Sequence, residues 1–221
     1  MPTTTEEVNV KWHHRIDLPD GTTPGDWDQT YIEAAIDALP LTPTTRVLDV
    51  GALDGGWTYR CELRAGHVHA IDRSDYPTMR HVLKTLPDDR VKYEVTSVEQ
   101  FVTTCPPESF DVVLFMGMIY HIHSPIDVLC GLSRLLVPQG LLVVESEVSH
   151  TLQSWFGKTY RNGDTTIGYI PDCRSLREWL AYAGFDVLTL HNAPRGRTLL
   201  TCRKNRAPPS DTYGSSQKAP C

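Results

Sequence analysis

The residues best suited to chemistry follow short apolar runs. Arg46-Val-Leu-Asp-Val-Gly-Ala-Leu-Asp-Gly-Gly-Trp57 ends an apolar run on Asp49 and then turns through Gly51, Gly55 and Gly56. Glycines in such a turn let backbone N–H groups approach a ligand closely. The order here is acidic residue, one residue, Gly, three residues, Gly, which differs from the G-x-G-x-x-G turn that seats a pyrophosphate on a helix N-terminus. Asp49 would repel a pyrophosphate and suits a cationic group. Asp72 closes the next apolar run, where a carboxylate can accept hydrogen bonds from both hydroxyls of a ribose. Taken singly, a glycine pair after a strand is a tight turn and a strand-end carboxylate is solvated. Taken together and in this order, they point to one ligand site.

A second group could move protons. His121 stands just past a long apolar run, and an imidazole, which ordinarily titrates near neutrality, suits general-base work. A structural histidine that bonds backbone or ligand is the other reading, and both stand. Glu145, Glu147 and His150 follow a later apolar run and could orient an amine or act as base, with solvated carboxylates as the alternative. No tight metal spacing occurs, so no metal is expected. Tyr120 either faces a positive charge with its ring or packs in the core.

These residues need elements to hold them. Short β-branched runs alternate with helical patterns from Arg46 to about Arg203, the rhythm of an α/β, doubly wound, mostly parallel sheet covered on both faces. The expected seven strands lie near 47–50, 67–71, 91–95, 111–115, 141–145, 185–190 and 198–202. Tyr31, Ile32, Ala35, Ile36 and Leu39 repeat at helical spacing after a cap at Asp26 or Asp28, and Pro40 and Pro43 end that helix. One domain over 1–204, with an N-terminal arm in about the first 40 residues, and a loosely attached or disordered tail over 205–221 follow from this pattern.

The acidic-x-Gly-x-x-x-Gly turn formed by Asp49, Gly51 and Gly55 resembles the first motif of the class I S-adenosylmethionine-dependent methyltransferases. Gly117-Met-Ile-Tyr-His-Ile-His-Ser-Pro125 and Trp12-His-His-Arg-Ile-Asp-Leu-Pro-Asp-Gly-Thr-Thr-Pro-Gly25 resemble the subgroup that includes tRNA wobble-uridine carboxymethyl-transfer enzymes and many natural-product methyltransferases. The resemblance implies a Rossmann-like sheet closed by an antiparallel strand at 197–202. It implies S-adenosylmethionine as cofactor, leaving S-adenosylhomocysteine as product, bound by Asp49, Gly51, Gly55, Asp72, Arg73, Ser97, Val98 and Met116. It also implies an arm carrying Trp12 and His14 that folds over the cofactor. Trp155, Tyr160 and Tyr169 fall between the fifth strand and the next helix, an insertion that could wall an apolar or aromatic acceptor pocket with Tyr120, Trp12 and His14, core packing being the alternative for some of them. His121, Glu145 and His150 become the candidates for catalysis.

Composition narrows the acceptor. The chain has 221 residues, with 21 Lys plus Arg against 27 Asp plus Glu, a net charge of -6. That is the wrong sign for a protein that holds a phosphate backbone mainly by counterion release, so nucleic acid is disfavoured and a small molecule favoured. The acidic start, the lack of a long apolar run and six scattered cysteines lead to an expectation of a cytoplasmic protein with reduced thiols, off the membrane. A tRNA-modifying methyl or carboxymethyl transferase, a scaffold that binds cofactor without turnover, and a nicotinamide-dependent dehydrogenase remain as competing readings. The glycine spacing opposes the last.

Overall fold

The computed structural model describes residues 11–27, 29–87, 89–149, 151, 155–156 and 166–209. A small hairpin, β1 (Asp17–Leu18) and β2 (Gly21–Thr22), leads to α1 (Thr30–Asp37). Strand and helix then alternate: β3 (Arg46–Val50), α2 (Gly56–Glu62), β4 (His67–Asp72), α3 (Pro77–Leu83), β5 (Val91–Val95), α4 (Val98–Thr104) and β6 (Phe110–Met116). The second half holds α5 (Pro125–Leu135), β7 (Leu136–Glu147), a short hairpin of β8 (Trp155–Phe156) and β9 (Tyr169–Ile170), α6 (Cys173–Tyr182), β10 (Phe185–Ala193) and β11 (Arg197–Lys204).

Seven strands form one sheet in the order β5-β4-β3-β6-β7-β11-β10. β5, β4, β3, β6 and β7 pair in parallel, and β11 runs antiparallel to both β7 and β10. The chain winds outward from β3 to β5 on one side and from β6 to β7 on the other. The gap beyond the C-terminal ends of β3 and β6 is therefore the switch point where open α/β sheets bind ligands.

Both faces of the central strands are covered, so these strands read as continuous apolar runs. In β6, Val113 and Phe115 belong to the cluster under α4 and α5, while Val112, Leu114 and Met116 join Ile32, Ile36 and Trp57 on the other face. Burying each such side chain contributes roughly 1.5–3 kcal/mol. The seven strands and the antiparallel closing strand agree with the sequence expectation. Their bounds differ by more than two residues at two places. β7 begins at Leu136, because Leu136 pairs with Phe110 before the strand is kinked through Gln139, which has a positive φ of 65°. β10 continues to Ala193, where it pairs with Arg197 at the hairpin end.

The start of α1 corrects another expectation. Gln29, with no side-chain cap bond, occupies the N-cap position rather than Asp26, and Asp28 lies outside the described residues. The cause is the arm. Gly25 passes so close to the backbone of His14 that a Cβ would lie 2.2 Å from its carbonyl carbon, which ties the chain just before Asp26 to the arm. Of the expected tail, 205–209 are described, and the rest lies outside.

Candidate active site

The turn after β3 is built from backbone that only a few residue types tolerate. Gly51 (φ +76°) and Gly55 (φ +83°) sit in the left-handed region, and so does Leu53 (φ 52°), where a side chain costs about 1–2 kcal/mol. The turn is tied to β4 by Gly51 N–H and Ala52 N–H, which both donate to the Ile71 carbonyl at 2.9 and 3.0 Å. A side chain at Gly51 would also collide with the Met118 thioether, 2.4 Å from the Cβ position, so the loops after β3 and β6 meet over this glycine.

Two carboxylates flank the turn. Asp49 is 1% exposed and accepts the Thr58 hydroxyl proton at 2.6 Å. Burial pushes its carboxyl up to about 6, against the lowering effects of the Thr58 bond and of His14. Asp72, at the end of β4, accepts Leu53 N–H at 3.1 Å and Ser74 N–H at 3.0 Å. Desolvation raises its carboxyl too, and these backbone donors oppose the rise. The rest of the expected cofactor set lies just after β4, at the start of α4 and at the end of β6. Arg73 is exposed beside Asp72, Ser97 caps α4 by accepting Gln100 N–H at 3.2 Å, and Val98 and Met116 are buried in the core. Thr96 N–H donates to the Asp72 carbonyl at 2.8 Å, which brings the 96–98 turn beside the same strand end.

A different cluster occupies the C-terminal ends of β6, β7 and the start of β11. Glu145 is 2% exposed and forms a bidentate ion pair with Arg197, whose Nε donates to Oε1 and whose Nη2 donates to Oε2 at 2.7 Å. Arg197 Nη2 also donates to the Tyr120 hydroxyl at 2.8 Å, and the Tyr31 hydroxyl donates to Glu145 at 3.0 Å. The guanidinium lies 5.6 Å from the ring centre of Trp27 and 5.4 Å from that of Tyr120. Burial would lower the Arg197 pKa, but the Glu145 bonds outweigh it and the group is held above its ordinary value. Burial raises the Tyr120 hydroxyl, so it stays protonated at neutral pH.

His121 ends a short 3-10 turn over Ile119–His121, where its Nδ1 lies 3.0 Å from the Thr166 hydroxyl. Gly168 N–H donates to the Tyr120 carbonyl at 3.0 Å and the Tyr169 hydroxyl to the Ile119 carbonyl, so the segment before β9 braces this turn. Tyr169 is buried edge-on to Trp179. Trp12 is half-buried and edge-on to His81 of α3, while His14 is buried with its ring on Asp54. His150, Tyr160 and the Trp155 side chain lie outside the described residues.

Among the described residues, no three His, Cys, Asp or Glu side chains are placed to hold a metal ion. No helix among them is long and apolar enough to cross a membrane. Sequence reasoning missed Asp54, Arg197, Trp27, Tyr31 and Thr166. Asp54 could have been found as a second acid inside the glycine turn; the others meet only through the fold.

Comparison with known proteins agrees with this architecture. The family model described as "Methyltransferase domain" matches residues 25–190. A tRNA U34 carboxymethyltransferase of Hydrogenovibrio crunogenus is 27% identical over 187 residues, 80% of this chain and 51% of that protein. One of Vibrio cholerae serotype O1 is 34% identical over 149 residues, 63% of this chain and 44% of that protein. The chain thus spans about half the length of the curated relatives it matches. Among solved structures, the Burkholderia thailandensis 1,6-didemethyltoxoflavin-N1-methyltransferase, with 1,6-didemethyltoxoflavin and S-adenosylhomocysteine bound, superposes with a TM-score of 0.67 at 24% identity. That match covers 79% of this chain and 76% of that one. The seven-stranded sheet, the glycine turn at its switch point and the family match over 25–190 together identify the chain as a member of the class I S-adenosylmethionine-dependent methyltransferases.

Proposed function

We propose that this chain transfers a methyl group from S-adenosylmethionine to an oxygen, nitrogen or carbon nucleophile of a small molecule. The observation that carries the cofactor half is the pair of buried carboxylates, Asp49 and Asp72, on either side of a glycine turn at the switch point. Asp49 suits the cationic amino-acid end, Asp72 the ribose hydroxyls, and the backbone at Gly51 and Gly55 the close approach between them. Ser97, Val98 and Arg73 complete the adenosine side, and the backbone at Met116 approaches the cofactor from the end of β6, where the following turn faces the reacting methyl. When bound, the cofactor supplies an electrophilic methyl on a sulfonium centre.

The chain's own residues then have two tasks, to hold the acceptor in line and to take its proton where it has one. His121 is the proposed base, with Thr166 orienting its ring through Nδ1. Glu145 is committed to Arg197 and Tyr31, so we assign it to positioning Tyr120 and Arg197 rather than to proton transfer. Tyr120, Tyr169, Trp12 and Trp155 remain the proposed acceptor wall, with Tyr160 as a further proposed wall residue and His150 as a further candidate base, whereas the His14 ring is taken up by Asp54. Acidic net charge favours a small acceptor over folded RNA.

Calorimetry tests the cofactor half. S-adenosylhomocysteine should bind and NAD should not, and the reverse result would remove the assignment. His121→Ala should lower the single-turnover rate by roughly 10²–10⁴-fold at saturating cofactor, with S-adenosylhomocysteine affinity retained. A rate that survives would end the base assignment.

A second reading draws on the curated relatives, which are named as tRNA U34 carboxymethyltransferases. Under it the acceptor is a tRNA uridine. Retention of tRNA that weakens steeply with salt, together with label transferred into tRNA, would favour it over the small-molecule acceptor.

A further inference from the structure

The acid that sequence reasoning passed over, Asp54, has a use that the cofactor chemistry does not explain. It is 1% exposed, and its carboxylate is taken up by the arm. His13 N–H and His14 N–H donate to Oδ2 at 2.7 and 2.8 Å, and the His14 ring donates from Nδ1 to Oδ1. The His14 ring then fills the space above Gly56, 2.5 Å from where a Cβ would stand, and lies edge-on to Trp57 at 4.6 Å. The arm is closed on itself behind this contact. Thr23 donates its hydroxyl to the His14 carbonyl at 2.6 Å and accepts Ile16 N–H at 2.8 Å.

The position of Asp54 in the chain gives the contact its consequence. It lies between Leu53, whose strained backbone donates to Asp72, and Gly55, the left-handed N-cap of α2. One side of this three-residue stretch holds the proposed ribose-binding carboxylate, and the other side holds the arm. A left-handed Leu53 persists only where its surroundings over-determine it, and Asp54 is the residue through which the arm supplies that constraint.

We propose that Asp54 is a positioning residue that links docking of the 11–25 arm to binding of the S-adenosyl cofactor, by fixing the Leu53–Gly55 backbone in the shape that Asp72 requires. The inference rests on the cofactor assignment made above. Linkage of this kind is reciprocal: a ligand that needs the docked arm must also stabilise the docked arm.

Hydrogen exchange of the full chain, with S-adenosylhomocysteine as the probe, tests both directions. In the wild-type protein the ligand should slow exchange at the His13 and His14 amides by about tenfold, and Asp54→Ala should weaken ligand binding by about tenfold and abolish that protection. Asp54→Asn, which retains one acceptor for the arm amides, should recover part of both effects. Thr23→Val alters only the arm's internal turn, so it keeps the test valid if Asp54→Ala does not fold, and it should weaken binding in the same direction. Binding with unchanged exchange in the arm, or folded Asp54→Ala and Thr23→Val proteins of wild-type affinity, would overturn the linkage alone. Failure of the wild-type chain to bind the ligand would overturn the cofactor assignment with it.

Discussion

Asp49 and Glu145 stand at the C-terminal ends of β3 and β7 with almost the same burial, 1% and 2% exposed, yet their surroundings differ completely. Glu145 meets a guanidinium in bidentate geometry and a tyrosine hydroxyl. Asp49 has a threonine hydroxyl, and desolvation lifts its carboxyl to about 6. A buried charge needs a partner, and one of these carboxylates carries its partner within the fold. Among the described residues the other has no cation in direct contact, as expected of a group whose partner arrives with the ligand, the role proposed for Asp49.

One chemical change made at both sites should therefore have opposite signs. Glu145→Gln leaves the Arg197 charge buried without compensation, and loss of one partner of a buried pair typically costs about 3–5 kcal/mol. Asp49→Asn removes a carboxylate that the folded state protonates more readily than the unfolded one. Between pH 3.8 and about 6 that carboxylate lowers stability as pH rises, and above 6 the whole penalty is present. The variant should then stabilise the ligand-free protein at pH 7.5 by about 1–3 kcal/mol, while weakening S-adenosylhomocysteine by about 1.5–3 kcal/mol for the lost charge-assisted contact. Chemical denaturation of both variants, read beside calorimetry, decides the matter. Destabilisation by Asp49→Asn, with affinity intact, would make Asp49 a structural acid like Glu145.

The first of these two regions was largely legible in the sequence and the second was not. Asp49, Gly51, Gly55 and Asp72 lie within two strand-turn units, so local spacing alone brings them to one edge. The same locality made the parallel strands readable, since each is a short apolar run covered on both faces. Arg197 and Glu145 are 52 residues apart, and Tyr31 and Glu145 are 114 apart. The antiparallel insertion of β11 beside β7 brings Arg197 to Glu145, the packing of α1 brings Tyr31 there, and no periodicity announces either contact. His14 shows a third case. Its residue type and its place in the arm suggested a pocket lining, whereas its ring turns onto Asp54 because an imidazole beside a buried carboxylate supplies a donor that the glycine turn lacks.

The contrast also predicts how ligand binding depends on pH. With the Asp49 carboxyl near 6 in the ligand-free protein, about nine-tenths of the molecules carry the charge at pH 7 and about one-tenth at pH 5. The cofactor's amino group stays protonated across that range, so its attraction to Asp49 should fade as pH falls. S-adenosylhomocysteine affinity should drop by about tenfold from pH 7 to pH 5, equivalent to roughly 1.4 kcal/mol. Asp72, also raised by desolvation, acts in the same direction. Asp54 acts differently, because the His14 bonds outweigh its burial and hold its carboxyl below the ordinary value, so it stays ionised through this window. Asp49→Asn separates these contributions. Its affinity, already weakened, should change little over the same range apart from what Asp72 adds, whereas Glu145→Gln, if folded, should keep the wild-type slope. A wild-type affinity that is flat between pH 7 and pH 5 would mean that Asp49 does not meet the cofactor's amino group, and that the cause of its isolation lies elsewhere in the turn.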